Sequence, residues 1–184
     1  MTKRELGRKI LVAGQGGKST LARALAADLE LPYVELDAIS HLPNWVARDP
    51  DDFKRQVEML LEEKADGWVI DGHYAANLDG MVVRAADSVV FVNLSWSRMM
   101  WRVFWRTIGN IRNKRVICGE NVDSWRRAFF SRDSLLWFLF KRRTLIHTRV
   151  ERTKLWVQGN TAWIQLDGAK ALNDFYGEQG ISRN

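Results

Sequence analysis

The sequence predicts one α/β domain whose parallel sheet of about five strands carries helices on both faces. Apolar runs of strand length alternate along the chain with segments whose apolar residues recur at helical spacing. The strand runs are continuously apolar rather than alternating, which is typical of strands buried on both faces. The 184 residues, 46% of them apolar, suffice for one substantial core, so we assign 1–184 to a single domain.

The first half of the chain predicts a strand, a helix, a second strand and a second helix, in that order. Residues 9–13 form a short apolar run, and leucines recur at every fourth position across a predicted helix at 18–30. Pro32 ends that helix, because proline disfavours helical geometry in the residue before it. A second strand is predicted at 33–36, and a second helix at 51–63 carries its apolar residues on one face.

The second half continues the alternation. Strands are predicted at 68–70 and 88–94, followed by a helix at 96–108. A last strand at 162–166 precedes a closing helix from Gly168 onward.

The intervening stretch predicts a separate substructure. Residues 109–133 have many charges and weak periodicity, which indicates a mobile insertion, and 134–157 predicts a long helix. Together they define a predicted lid spanning roughly 109–157.

Composition limits the classes of protein and of partner. Residues 1–92 carry a net charge of −4 and residues 93–184 a net charge of +10. Either the second half has a solvated basic surface, or it faces the phosphates of nucleotides or nucleic acid. The single cysteine, Cys118, and the lack of a long apolar run favour a cytoplasmic protein without a membrane span.

A glycine-rich turn between the first strand and the first helix is the main chemical signal. Glycines let backbone N–H groups approach phosphate oxygens, and the helix N-terminus adds partial positive charge. The pattern predicts that Lys18 meets the β- and γ-phosphates of ATP and that the Ser19 hydroxyl binds Mg²⁺. The predicted cofactor-binding residues are Gly14, Gln15, Gly16, Gly17, Lys18, Ser19 and Thr20.

This turn is two residues shorter than the usual phosphate-binding loop. That loop has four residues between its first glycine and the Gly-Lys pair, whereas Gly14 and Gly17 enclose only two. Either the turn itself is shorter, or Val12 and Ala13 take part in it with poorer geometry. A shorter turn offers fewer N–H donors to a polyphosphate.

Seven further segments extend the pattern over nearly the whole chain. They are KSTLARALA (18–26), LPYVELDAI (31–39), LPNW (42–45), WVIDGHY (68–74), RAADSVVFVNL (84–94), RVFWR (102–106) and FFSRDS (129–134). With them the chain resembles the adenylate-kinase-like P-loop proteins, in particular the group labelled topology-modulation proteins or predicted adenylate kinases. The resemblance implies a three-layer P-loop nucleoside-kinase-like fold with a helical lid. It also implies ATP as donor, Mg²⁺, and a nucleotide or small-molecule acceptor.

Acidic and aromatic residues after the strands are candidates for the acceptor site and the metal. Asp71 ends an apolar strand, so its carboxylate should emerge beside the glycine turn. The resemblance implies that Asp71 helps to hold Mg²⁺ or positions the acceptor, and that Asp37 lies near the acceptor. The alternative for Asp71 is a helix-capping or turn-forming role, and the alternative for Asp37 is a turn-forming role. The remaining acceptor candidates are His41, Trp45, His73 and Tyr74.

Arginines complete the predicted catalytic set of Lys18, Asp71, Arg102, Arg106 and Arg132. Arg102 and Arg106 lie four apart on one helix face. In the family, an arginine pair at this place reaches the transferring phosphates, which guanidinium groups stabilise. Arg132, and after it Arg142 or Arg143, are candidates for the remaining lid contacts.

Two other hypotheses stay open. The first is a basic protein that keeps this fold but acts on nucleic acid, because aromatic residues interleaved with arginines can stack bases. No recognised nucleic-acid module accompanies them. The second is a P-loop protein that retains the architecture without turnover.

Overall fold

Five parallel strands form the central sheet of the computed structural model, which describes residues 4–117, 121–122, 124–130 and 146–182. The strands of the chain are β1 (Lys9–Gln15), β2 (Tyr33–Glu35), β3 (His41–Leu42), β4 (Val46–Ala47), β5 (Trp68–Asp71), β6 (Ser88–Asn93), β7 (Val116–Ile117), β8 (Asn121–Val122) and β9 (Ala162–Asp167). The order in the sheet is β2-β5-β1-β6-β9, with every neighbouring pair parallel. The prediction of a parallel sheet of about five strands is confirmed.

Helices flank the sheet on both faces. They are α1 (Lys18–Asp28), α2 (Leu36–Ser40), α3 (Pro50–Glu63), α4 (Met81–Ala85), α5 (Trp96–Arg112), α6 (Trp125–Phe130), α7 (Ile146–Lys154) and α8 (Gly168–Gln179). Two short antiparallel pairs, β3 with β4 and β7 with β8, lie outside the main sheet.

Each face of the sheet has its own hydrophobic core. Consecutive residues of β1 point to opposite faces, so Val12 belongs to one cluster and Leu11 to the other. The Val12 cluster packs against α1 and α8, through residues such as Leu21 and Phe175. The Leu11 cluster packs against α3, α4 and the buried Val150 of α7. The sheet is therefore covered on both sides, as its continuously apolar strands predict.

Two predicted boundaries near the glycine turn are wrong. The strand predicted at 9–13 continues through Gly14 and Gln15, because these residues pair with Val92 and Asn93 of β6. The strand predicted at 33–36 ends at Glu35, and Asp37 lies in the first turn of a five-residue helix. Five residues are too few to show helical periodicity in a sequence.

The predicted insertion at 109–133 is also wrong at its start. The helix α5 continues to Arg112, and its buried residue in this last part is the polar Asn110, which gives no apolar signal in the sequence. The hairpin β7–β8 and the helix α6 follow. Of the long helix predicted at 134–157, residues 134–145 lie outside the described part, and the described end is α7, which stops at Lys154. Within the described ranges no helix is long and apolar enough to cross a membrane.

Candidate functional site

The carboxyl edge of the sheet has a switch point beside β1. The chain leaves β1 toward β2 on one side, whereas it leaves β6 toward β9 on the other. Open parallel sheets bind their ligands at such points, outside the carboxyl ends of the strands. The glycine turn after β1 lies at this switch point.

The turn between β1 and α1 consists of only Gly16 and Gly17. Both have left-handed backbone angles, with φ of +78° and +94°, and the helix begins directly at Lys18. Val12 and Ala13 are buried within β1 and pair with β6. Of the two interpretations of the short loop, the structure therefore has the shorter turn.

Close packing of β1 against β6 requires the first glycine of the motif. Gly14 has a φ of +100°, and a Cβ there would overlap the carbonyl oxygen of Val92. At Gly17 a Cβ would instead lie 3.4 Å from Leu172 Cδ2 and 3.5 Å from Arg102 Nη1, which are ordinary contacts. Gly14 thus fixes the spacing of two strands, and Gly17 leaves its backbone open toward an arginine.

Lys18 connects the turn to two acidic side chains. Its Nζ donates to Oδ1 of Asp71 at 2.7 Å and lies 3.8 Å from Oδ2 of Asp37. Asp71 is completely buried at the end of β5, and the hydroxyl of Tyr33 donates to its other oxygen at 3.1 Å. A buried carboxylate needs such partners to offset its lost hydration.

A second set of hydrogen bonds holds Asp37. The hydroxyl of Tyr74 donates to Oδ1 of Asp37 at 2.6 Å, and Ser40 Oγ lies 2.9 Å from the same hydroxyl. Ser40 Oγ also lies 2.8 Å from Nδ1 of His41. The predicted acceptor residues Asp37, His41 and Tyr74 therefore form one network with Ser40.

The charges of this region shift the pKa of two neighbouring groups. Burial, and next the charge of Asp71, raise the pKa of the Tyr33 hydroxyl, so it stays protonated and donates a hydrogen bond to Asp71. Burial, and next the charge of Asp71, also raise the pKa of Glu35 above its usual value. Arg23 lies 3.4 Å from Glu35 and lowers that pKa in part.

Arginines lie on the other side of Lys18. Arg102 extends from α5 to the backbone of Gly17. Its Nη1 lies 3.5 Å from the place that a Cβ would occupy at Gly17. Beside it is an open groove of about 420 Å³, lined by Leu94, Ser97, Arg98, Trp101, Arg102 and Ala169. Arg106 is exposed one turn further along α5.

Two of the predicted acceptor residues are directed elsewhere. Nε2 of His73 lies 2.8 Å from Oγ1 of Thr153 on α7, and the ring packs edge-on against Phe91. The backbone N–H of Trp45 donates to Oδ1 of Asn121 at 2.6 Å, so this residue joins the loop after α2 to the hairpin β7–β8.

The remaining predicted residues divide into two groups. Ser19 and Thr20 lie in the first turn of α1, directly after Lys18. Arg132, Arg142 and Arg143 lie outside the described residues.

Sequence reasoning missed Tyr33, Glu35 and Ser40. The polar side chains of Tyr33 and Glu35 alternate with the apolar Val34 along β2, which places both on one face. That alternation was the available signal for Tyr33 and Glu35. Ser40 gave no comparable signal, because its role depends on the hydroxyl of Tyr74, which is 34 residues away.

Comparison with known proteins returned no match, either to a family model or to a curated protein.

Proposed function

We propose that this chain is an ATP-dependent phosphotransferase resembling the nucleoside monophosphate kinases of the P-loop class. It would move the γ-phosphoryl group of ATP to a nucleotide or small-molecule acceptor. The observation that carries the proposal is the position of Lys18. It follows a glycine turn at the start of an 11-residue helix, with Asp71 on one side of it and Arg102 near the turn.

The donor phosphates would bind at the start of α1. Helix N-termini leave N–H groups without partners inside the helix, and anions bind there. The N–H groups of Gly16, Gly17 and Lys18 have no backbone acceptor among the described residues. Lys18 would move from Asp71 toward the phosphates, and Arg102 would cover them from α5. The short turn provides fewer donors than a full-length loop.

The side chains of Ser19 and Asp71 fit a Mg²⁺ ion that is held chiefly by the phosphates. Mg²⁺ usually keeps several waters and takes one or two protein ligands beside substrate phosphates. Ser19 would supply a hydroxyl, and Asp71, whose Oδ1 loses its hydrogen bond when Lys18 moves to the phosphates, would contact the metal through water. No group of three or more His, Cys, Asp or Glu able to hold a metal occurs in the described ranges. The metal would neutralise phosphate charge during transfer.

The predicted lid at 109–157 belongs to the same proposal. Asn121 of β8 accepts from the backbone of Trp45 and donates to the carbonyl of Leu42 at 3.2 Å. The hairpin β7–β8 thereby contacts the loop that follows Asp37. A segment in this place would exclude water from the transferring group.

The test is acceptor-dependent ADP release from ATP and Mg²⁺, assayed over nucleoside monophosphates and small metabolites. Arg102→Ala should lower kcat/KM by roughly a hundredfold, because it removes a donor to the transferring phosphates. Arg112→Ala is the matched control at the far end of the same helix. Equal loss in both variants, or no ADP release with any acceptor, would contradict the proposal.

The exposed face of α5 favours one second candidate, a nucleic-acid-binding role. Trp101 and Trp105 are 65% and 52% exposed and lie on a helix that also carries exposed arginines. Such a face can stack bases and neutralise phosphates. Single-stranded DNA binding that weakens steeply with salt and is lost in Trp101→Ala, without ATP turnover, would favour this role.

A further inference from the structure

The order of the sheet separates opposite charges on the two sides of Lys18. Lys18 follows β1, the central strand. On one side of it, Asp71 is the last residue of β5 and Asp37 follows β2. Arg102 belongs to the helix after β6, on the other side. The donor polyphosphate, which is anionic, suits the arginine side. The acceptor therefore has to bind on the side that carries the carboxylates.

The cations that the structure describes on the carboxylate side are already engaged. Arg48 donates to the carbonyl of Ile39 and pairs with Asp52. Lys18 is bonded to Asp71. Arg23 lies against Glu35 in an ion pair, and its guanidinium also sits 5.0 Å from the centre of the Tyr33 ring. Among the described residues of this side, a phosphate group would meet the carboxylates before it met a cation without a partner.

The raised pKa of Glu35 agrees with this picture. Burial is its first cause and the neighbouring charge of Asp71 the second, with Asp37 adding to it. The region already disfavours one of its own negative charges, and a dianionic phosphate would add two more.

Asp37 offers the acceptor a specific contact. One carboxylate oxygen is occupied by the hydroxyl of Tyr74, and the other faces Lys18 at 3.8 Å. About a third of the Asp37 side chain is exposed, so this second oxygen can accept from a ligand. A hydroxyl bound there would lie beside the ammonium that holds the donor phosphates.

We propose that the acceptor is a phosphate-free alcohol, neutral or cationic, whose hydroxyl donates to Asp37. This inference rests on the proposed phosphotransferase function. The alcohol oxygen forms a bond to the γ-phosphorus as the bond from that phosphorus to the β-bridging oxygen breaks. ADP leaves, and the alcohol proton passes to Asp37 and then to water.

The experiment uses the full chain loaded with ATP and Mg²⁺ and compares acceptors that differ by one phosphate. The pairs are adenosine with AMP, ribose with ribose 5-phosphate, and ethanolamine with phosphoethanolamine. Release of ADP is measured with each compound and with water alone as acceptor. Binding of a non-hydrolysable ATP analogue is measured separately by calorimetry.

The expected result has two parts. At least one phosphate-free compound raises ADP release above the rate with water, and its phosphorylated counterpart does not; no increase with any phosphate-free compound would overturn the acceptor class. In Asp37→Asn the rate with water falls about tenfold or more, because water loses the carboxylate that orients it. Asp79→Asn, whose carboxylate pairs with Lys54 at the surface, is the matched control and keeps the rate.

Three other results would each contradict a different part of the account. Faster ADP release with AMP than with adenosine, in a chain that binds the ATP analogue, would overturn the acceptor class and leave the phosphotransferase standing. An unchanged rate with water in a folded Asp37→Asn variant would overturn the role of Asp37. Failure of the wild-type chain to bind the ATP analogue would overturn the phosphotransferase function itself.

Discussion

The two sides of Lys18 differ in how firmly their side chains are held. On the β5 side, Asp71 is fully buried and bonded to both Lys18 and Tyr33. On the β6 side, Arg102 is exposed at the surface of α5. Asp71 is thus fixed by folding, whereas Arg102 is open to solvent. Substitution of Asp71 should mainly cost stability, and substitution of Arg102 should mainly cost ligand binding.

The largest expected effect tests the spacing of β1 and β6. Gly14→Ala should lower the free energy of unfolding by roughly 4 kcal/mol or more, because its Cβ would overlap the Val92 carbonyl at an unfavourable φ. Urea unfolding measures this loss. Gly17→Ala is the matched variant, with similar backbone strain but only ordinary contacts, and should lose about 2 kcal/mol. Equal losses would show that the close approach of the strands does not set the cost.

The second effect separates a buried ion pair from an exposed one. Lys18→Met should lower the free energy of unfolding by about 3–5 kcal/mol, because it leaves the buried Asp71 carboxylate without its ammonium. Lys54→Met removes the exposed pair with Asp79, which has a similar distance of 2.6 Å, and should leave the free energy of unfolding nearly unchanged.

A double-mutant cycle checks the cause of that loss. Asp71→Asn combined with Lys18→Met should recover much of the stability, since neither charge then remains unpaired. A double variant less stable than Lys18→Met would contradict this account.

Tyr33 should contribute a smaller amount. Tyr33→Phe removes the hydroxyl that donates to Asp71 and should cost about 2 kcal/mol, the usual scale for a hydrogen bond to a charged group. Thermal unfolding measures it. No change in stability would mean that water replaces the hydroxyl at Asp71.

The smallest effect concerns pH. The pKa of Glu35 is raised in the folded chain, so the unfolded chain releases this proton first and the free energy of unfolding falls as pH rises through that interval. Glu35→Gln removes this dependence. The variant should therefore gain stability relative to wild type at about pH 8 but not at about pH 3, below the ordinary carboxyl range. A gain that is the same at both pH values would contradict the assignment.

The sequence predicted the parts of the fold whose residues form a recognisable apolar pattern. Strands buried on both faces remain continuously apolar, so all five strands of the sheet were predicted. The end of α5 was missed because Asn110 is polar yet buried. The short α2 was missed because five residues show no period.

The candidate site was predictable where topology alone decides. Because the carboxyl ends of parallel strands share one edge, Asp71 was expected beside the glycine turn, and its contact with Lys18 confirms that proximity. The direction of His73 toward Thr153 was not predictable, since it depends on a helix 80 residues away. Tyr33 was missed because a tyrosine in a strand is as often a packing residue as a hydrogen-bond donor in a functional site.

The most direct test of the central claim is titration of the wild-type chain with ATP and Mg²⁺, followed by thermal unfolding. If the two-residue turn and Lys18 bind the phosphates, the melting temperature should rise with ligand concentration, as mass action requires. Arg102→Ala should unfold at the wild-type temperature without ligand and show a much smaller rise with it. A melting temperature that stays constant at millimolar ATP would contradict the claim that this turn binds a polyphosphate.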